Sequence, residues 1–281
     1  MRIIFFLLLG TFLMKSAHVN AQSVRSVLDK MYIAIGSMNT MTYDMTSYER
    51  IGNRTETRNS KFKIQVSPKK LYMKNQESGV ELLYVSGWNN SKLYVNPNGF
   101  PYVNLNLDVN NARVRNNGHH PVTHAGFSYL YLQIKNTEKK LALSGQKLED
   151  MIKIGGDFTW NGKNCIKLIL DNPDFQFISH TCTQTESLLS LCERINVSEY
   201  LVMEKNNLGF GANVSKGMVL KVPNAFAKKA ELYIDKSSGL PIYQVVYDDK
   251  GVYEKYEFKN LKVNPQFNSA EFTTQCAGYG F

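Results

Sequence analysis

The feature that most limits the fold of this chain is a succession of short strand-like segments joined by tight turns. In residues 41–46 and 61–66, apolar side chains alternate with polar ones, as in a strand with one buried face. The pairs Gly52-Asn53, Ser78-Gly79 and Asn98-Gly99 mark turns between successive segments. Connections this short join antiparallel strands. The sequence therefore predicts an antiparallel meander.

Helical periodicity interrupts this pattern in three places. Apolar residues at helical spacing predict one amphipathic helix over residues 22–38 and another over 123–138, with Thr123 as its N-cap. Residues 183–207 are expected to form one or two helices, the second capped by Ser198. Strands are predicted at 70–74, 80–86, 92–96, 148–154, 164–170, 218–222, 230–235, 242–247 and 252–261. We predict an α+β fold, with residues 22–281 as a single domain.

One predicted strand is apolar on both faces. Val80, Leu82 and Tyr84 share one parity, and Leu83 and Val85 share the other. A strand of this kind needs cover on both sides. We expect a helix on one face and a cavity on the other.

The first 21 residues have the layout of a secretory signal peptide. Arg2 is followed by an apolar run from Ile3 to Leu13 and by a small-residue cleavage site ending at Ala21. The run is shorter than the ~20 residues that a membrane span needs. We therefore predict a soluble protein of the periplasm or the exterior, cleaved near Ala21.

Composition and charge exclude several classes of protein. The chain is 43% hydrophobic and 20% charged, which excludes intrinsic disorder. Cleavage after residue 21 removes Arg2 and Lys15 and no acidic residue, so the net charge falls from +9 by two, to +7. The basic residues are dispersed and form no stripe, so we expect no nucleic-acid partner. A mild attraction to an anionic membrane surface is more plausible, and we expect a monomer.

The four cysteines, an even number in an exported chain, predict two disulfides. We favour Cys182–Cys192, which closes a short loop, and by exclusion Cys165–Cys276. Sequence alone leaves all three pairings open.

Two series of motifs carry a resemblance to known families. The C-terminal series is Tyr233-Ile234-Asp235, Ser238-Gly239-Leu240-Pro241, Tyr247-Asp248, Gly251 and residues 256–264, and it resembles the ending of exported proteins related to the lipoprotein carrier LolA. The N-terminal series is Tyr48-Glu49-Arg50, Pro68 with residues 71–74, residues 79–85 and residues 120–123. It is similar to the secreted domain-of-unknown-function family 1571, within the LolA-like proteins.

The resemblance implies a strongly curved antiparallel sheet, an incomplete barrel with helices across its concave side. In LolA-like proteins that concavity holds acyl chains, so the expected function is non-catalytic binding of a lipid or of an acylated protein. We expect no cofactor. From strand parity, the candidate lining residues are Tyr43, Met45, Phe62, Ile64, Leu82 and Tyr84. A one-residue slip would exchange the two faces.

The densest polar cluster is Arg115, His119, His120 and His124. These residues are candidates for contact with an anionic head group. The spacing lacks the H-E-x-x-H pattern of metalloproteases, and we predict no tightly held metal. Two alternatives stay open: a hydrolase that uses this cluster, and an envelope scaffold without a ligand.

Overall fold

The computed structural model describes residues 23–115 and 118–281. The predicted signal peptide lies outside them. The helices are α1 (Val24–Gly36), α2 (Ala112–Arg115), α3 (Ser128–Ala142), α4 (Leu188–Ile195) and α5 (Glu199–Asn206). The strands are β1 (Thr40–Ile51), β2 (Arg54–Gln65), β3 (Lys70–Asn75), β4 (Glu81–Val85), β5 (Leu93–Asn96), β6 (Leu105–Leu107), β7 (Ile152–Trp160), β8 (Lys163–Asp171), β9 (Phe177–Thr181), β10 (Glu186–Ser187), β11 (Asn213–Val214), β12 (Val219–Pro223), β13 (Lys229–Asp235), β14 (Pro241–Asp248) and β15 (Gly251–Val263).

Eleven strands form one antiparallel sheet in the order β6-β5-β4-β3-β2-β1-β15-β14-β13-β8-β7. The end strands β6 and β7 do not pair, so the sheet is open. Leu82 on β4 and Leu170 on β8 nevertheless line the same cavity. Seven strand spacings separate them, about 34 Å across a flat sheet, so the sheet must be strongly curved. This confirms the predicted α+β fold with an incomplete barrel.

Helices α1 and α3 cover one face of the sheet. Leu28 and Met31 of α1 are fully buried, and they share the main core with Ile64 of β2. Leu130 and Ile134 of α3 pack against the same core. Ser23 caps α1 by accepting a hydrogen bond from the amide of Ser26 at 3.1 Å. The predicted helix over 22–38 is therefore present, ending two residues earlier.

The predicted N-cap at Thr123 is wrong. Residues 122–124 form a separate 3-10 turn, and α3 begins only at Ser128. Ala125 is extended and Gly126 has a φ of +94°, so the backbone cannot continue as a helix between the two segments. Residues 148–151, predicted as strand, likewise form a 3-10 turn before β7.

Residues 183–207 form two helices, α4 and α5, beside the pairs β9–β12 and β10–β11. They have their own apolar core, which includes Leu188, Leu191 and Val202. The hydroxyl of Ser198 accepts a hydrogen bond from the amide of Leu201, so the predicted cap of the second helix is confirmed.

The two-sided strand β4 is covered differently from our expectation. Leu82 faces the cavity, as predicted. Leu83, on the other face, packs with Tyr72 and with Phe272 of the C-terminal segment. A tail segment takes the place of the expected helix because residues 264–281 return across the outer face of β3 and β4.

All four cysteines are free thiols, which corrects the predicted disulfides. Cys165 lies on β8, in the main core. The segment with Cys276 packs beside Tyr72 on the outer face of β3, six strands from β8 in the sheet order. Cys165 and Cys276 therefore lie in different parts of the fold. Cys182 and Cys192 share one buried apolar cluster, where burial raises the pKa of both thiols.

Candidate functional site

A cavity of about 320 Å³ lies between the curved sheet and the covering helices. Nine neighbouring strands, from β4 across to β7, contribute residues to its wall. The pairing of the strands agrees with this arrangement of the wall. Ala230 of β13 pairs with Leu170 of β8 and with Val246 of β14, and all three residues line the cavity. Because side chains alternate between faces along a strand, one continuous sheet face forms the wall.

This wall changes from apolar to charged along the strands. On β1 the cavity residues are Met45, Ser47 and Glu49, in that order. The adjacent strands follow in register, since Met45 pairs with Phe258, Ser47 with Tyr256 and Glu49 with Glu254. On β2 the order is Phe62, Ser60 and Arg58. The apolar ends of the three strands lie together, and so do their charged ends.

The structure separates the six lining candidates into two groups. Met45, Phe62 and Leu82 line the cavity. Tyr43, Ile64 and Tyr84 have the same parity but belong to the packed core beside it. Gly126 lies over Ile64, and a Cβ on that glycine would be 3.5 Å from the Ile64 side chain. The segment before α3 therefore covers this part of the face.

The segment from Gly118 to Pro121 places His119 behind the charged end of the cavity. Its Nδ1 is 2.9 Å from Oε2 of Glu254, and its Nε2 is 2.9 Å from the carbonyl oxygen of Arg50. Both ring nitrogens of His119 are thus within hydrogen-bond distance of an oxygen atom. The ring is sandwiched between Tyr200 and Tyr253, with centroids at 4.4 and 4.1 Å.

His120 and Glu254 form a buried ion pair at the cavity wall. Nε2 of His120 is 3.1 Å from Oε2 of Glu254. Burial by itself would raise the pKa of Glu254, but the charge of His120 and the hydrogen bonds from both rings hold that pKa well below its usual range. Burial lowers the pKa of His120, but Glu254 outweighs it and the net shift is upward. Charged His120 and charged Glu254 therefore stabilise each other.

Two guanidinium groups at the charged end keep unused donors. Arg115, 2% exposed, donates through Nη2 to Glu199 at 2.7 Å and to the carbonyl of His119 at 3.1 Å. Arg58 donates through Nη1 to Glu49 at 2.8 Å. Among the described residues, nothing accepts from Nε or Nη1 of Arg115 or from Nη2 of Arg58. Both residues border the cavity, but the side chain of Arg115 is 0% exposed whereas that of Arg58 is 26% exposed.

His124 lies at the cavity wall in a less polar setting. Its Nε2 is 2.8 Å from Glu193, and its ring stacks on Tyr129 at a centroid distance of 3.8 Å. Burial lowers the pKa of His124 to about 4, although Glu193 opposes the shift. The folded protein therefore keeps this ring neutral well below the pH at which a free histidine becomes charged.

This shift predicts a loss of stability in acid. A group whose pKa is lower in the folded state contributes stability that is present above its unfolded pKa, 6.5, and is lost as pH falls toward 4. At about 1.4 kcal/mol per pH unit, the loss for His124 is about 3 kcal/mol of unfolding free energy. Urea unfolding at pH 7 and pH 4.5 measures it, and His124→Phe should remove most of it. The control Glu193→Gln keeps the buried ring of His124, so it should lose as much stability between pH 7 and pH 4.5 as the wild type. If His124→Phe loses as much as the wild type, the acid sensitivity does not come from His124.

One group of side chains in the described part of the chain has the composition of a metal site. Donor atoms of Glu49, His119 and Glu254 lie within 4.8 Å of one another, and all three residues are buried. Hydrogen bonds already engage them, since Glu49 accepts from Arg58 and from Tyr256. The absence of a tightly held metal stays a prediction.

The hydrolase alternative needs a nucleophile beside one of these rings. Within residues 23–115 and 118–281, the hydrogen-bond partners of the rings of His119, His120 and His124 are carboxylates and a backbone carbonyl, with no hydroxyl or thiol among them. The cluster is thus organised around charge pairing in the described structure.

The sequence analysis missed Glu49, Arg58, Glu254 and Tyr256. For two of them the signal was parity: Glu49 continues the face of Met45 on β1, and Arg58 continues the face of Phe62 on β2. Following Met45 two and four residues onward leads to Ser47 and Glu49. A polar residue at an inward-facing position is the informative observation, because such a residue is buried only with partners.

The fold and the site together define a class: an open antiparallel sheet that encloses an amphipathic cavity under two helices. Residues 38–177 match the sequence profile of a family described as a protein of unknown function, DUF1571. Through this segment the chain belongs to that family. None of the curated proteins compared matches the chain.

Several solved structures are similar in outline. LprF from Mycobacterium bovis is 11% identical, with 86% of this chain and 94% of LprF covered, at a TM-score of 0.42. The lipoprotein LppX from Mycobacterium tuberculosis is 11% identical, with 86% and 96% covered, at 0.41. MucB in the Pseudomonas aeruginosa MucA/MucB complex is 11% identical, with 88% of this chain and 59% of that chain covered, at 0.40. The chain thus spans about six tenths of the MucB structure. These likenesses are distant, and the description of the site rests on this chain's own residues.

No helix of residues 23–115 and 118–281 is long and apolar enough to cross a membrane.

Proposed function

We propose that the protein is an exported, periplasmic binding protein that holds the acyl chain of a lipid or of an acylated protein, without catalysing a reaction. The observation that carries this proposal is the cavity of about 320 Å³ under α1 and α3, with apolar walls over most of its length. Its volume is in the range of small-molecule sites. A scaffold protein has no need to leave such a volume unfilled, since protein interiors are otherwise close-packed.

The energetics of an acyl chain suit this cavity. Burial of one methylene group contributes about 0.8 kcal/mol, so a chain of about twelve carbons would contribute on the order of 10 kcal/mol before the costs of ordering. The apolar wall from Phe62 to Leu170 supplies the surface for that burial. Affinity for the chain therefore needs no specific polar contact.

The proposal predicts that filling the cavity blocks binding. Ala230 lies near the start of β13, between its cavity-lining partners Leu170 and Val246, so Ala230→Phe directs a ring into the cavity. We expect the lipid retained through purification to fall about tenfold or more, with little loss of stability because the ring enters existing space. The amount of retained lipid is measured by native mass spectrometry of protein purified from the envelope of the cells that produce it, followed by lipid extraction.

The matched control is Ala142→Phe, at an exposed position at the end of α3. It should retain as much lipid as the unmodified protein. A wild-type protein that emerges empty under these conditions, and that binds no added acyl chain, would support the ligand-free scaffold instead.

A further inference from the structure

One loop presents large apolar side chains to solvent. The loop between β5 and β6, the aromatic loop, spans residues 97–104. In it, Phe100 is 86% exposed, Tyr102 is 82% exposed and Val103 is 59% exposed. The rings of Phe100 and Tyr102 lie edge to face, with their centroids 6.3 Å apart. A contiguous exposed apolar patch of a few hundred Å² marks an interaction surface on a soluble protein.

The backbone of the aromatic loop holds both rings outward. The amide of Tyr102 donates to the carbonyl of Gly99 at 2.6 Å, which closes a tight turn around Phe100. The side-chain amide of Asn98 donates to the carbonyl of Ser78 at 2.9 Å, which ties the loop to the turn between β3 and β4. Tyr102 has a φ of +62°, in the left-handed region that a bulky residue rarely adopts. Because so exposed a ring adds little to the core, a strained backbone that keeps it outward indicates a role at the surface.

The aromatic loop lies in an uncharged part of the chain. Residues 93–107 contain no Asp, Glu, Lys or Arg, although 20% of the chain is charged. Charged side chains oppose entry into a bilayer, whereas aromatic rings are favoured at the level of the lipid head groups. A loop of this composition can therefore enter the surface of a bilayer without burying a charge.

The size of the patch argues against a protein partner. Aromatic side chains bury about 150–250 Å² each, so Phe100, Tyr102 and Val103 together offer on the order of 450 Å² at their observed exposure. A stable protein–protein interface needs about 800 Å² from each partner. A bilayer needs no matching surface, because its binding strength grows with whatever apolar area is inserted. The sequence carries a net charge of +9, so anionic lipid would also attract the protein from a distance.

The aromatic loop extends from the sheet in the direction of the cavity's charged end. Ser60 of β2 pairs with Asn75 of β3, and Glu81 of β4 pairs with Asn96, the last residue of β5. Arg58 lies beyond Ser60 on β2, on the side toward which β5 leads into the loop. Docking by this loop would turn that end of the sheet toward the bilayer.

We propose that the aromatic loop docks the protein on a phospholipid bilayer by inserting the rings of Phe100 and Tyr102 among the lipid head groups. This inference goes beyond the proposed function, because it assigns a surface outside the cavity. In the described structure, the aromatic loop contributes no residue to the cavity wall.

Sedimentation with vesicles of phosphatidylethanolamine and phosphatidylglycerol measures the docking of delipidated protein. Phe100→Ala combined with Tyr102→Ala should reduce partitioning onto the vesicles about tenfold or more, because two apolar rings no longer leave water. The difference should persist at about 0.5 M salt, since an apolar contact is not screened. The matched control Leu143→Ala truncates a side chain that is 92% exposed elsewhere, and it should partition as the wild type does. Both variants should bind added dodecanoate within about twofold of the wild-type affinity.

The variant Phe100→Trp reports the insertion itself. Its fluorescence emission should shift to shorter wavelength when vesicles are added, because the indole leaves water. Leu143→Trp should show no such shift. The unmodified protein, with Trp88 and Trp160, gives the background emission.

The outcomes separate this inference from the proposed function. Unchanged partitioning of the double variant, no emission shift in Phe100→Trp, or wild-type binding that disappears at high salt would overturn docking by the loop and leave acyl-chain binding in place. Self-association that depends on the loop would assign it to a second copy of the chain and overturn the bilayer as its partner. Failure of the wild type to bind dodecanoate would overturn the proposed function and leave the docking loop standing.

Discussion

The variant Glu254→Gln is expected to lose about 3–5 kcal/mol of unfolding free energy, the usual cost of removing one partner of a buried ion pair. Glu254 is 2% exposed, and its Oε2 lies 2.9 Å from His119 and 3.1 Å from His120. Glutamine keeps the shape of the side chain and removes its charge. The two rings then lose the carboxylate that stabilises them, and the rest of the network around Glu49 and Tyr256 is disturbed.

Urea unfolding at pH 6 measures this loss, because His120 is charged there and its pairing is at full strength. The raised pKa of His120 means that its contribution is present below 6.5 and is lost as pH rises through the folded value. The matched control is Glu257→Gln on the same strand, where the carboxylate pairs with the surface residues Lys255 and Lys259. It should cost less than about 1 kcal/mol. A loss below 1 kcal/mol in Glu254→Gln would contradict the pairing described here.

The second large effect is expected for Phe127→Ala, which should destabilise the protein by about 3–5 kcal/mol. Phe127 is fully buried directly before α3, and its ring lies 4.6 Å from that of Phe258 on β15. It attaches the start of α3 to the sheet. Gly126 has a φ of +94°, so α3 does not extend back past Phe127. No residue of an earlier helical turn can therefore replace the lost contact.

Thermal and urea unfolding measure this loss, with Leu143→Ala as the control. Leu143 follows α3 and is 92% exposed, so its truncation should change stability by no more than about 0.5 kcal/mol. Similar losses in the two variants would show that α3 is not held at Phe127.

The strands were the most predictable part of this fold. Alternation over residues 41–46 and 61–66 is a local property, since successive side chains of a strand point to opposite faces. The same alternation predicts Met45, Phe62 and Leu82 on one face of the sheet, and in the structure these three border the cavity. It could not distinguish them from Tyr43 and Ile64, because that distinction depends on where Gly126 and Phe127 fold back over the sheet.

The cysteines illustrate the opposite case. Their even number in an exported chain favoured disulfides, but pairing requires two Cα atoms within about 7 Å of each other. Strand order separates Cys165 from Cys276 by six strands. Nothing in the spacing of cysteines along the chain contains that order.

The sequence by itself determined the class of fold, the alternation along β1 and β2, and the cluster of histidines beside Arg115. Only the tertiary structure decided that Glu49, Arg58 and Glu254, distant in sequence, meet at one end of the cavity. Strand parity is set by neighbours one and two residues away, so a sequence displays it directly. Charge pairing between β1, β2 and β15 is set by register across the sheet, and register becomes defined only when the strands pair.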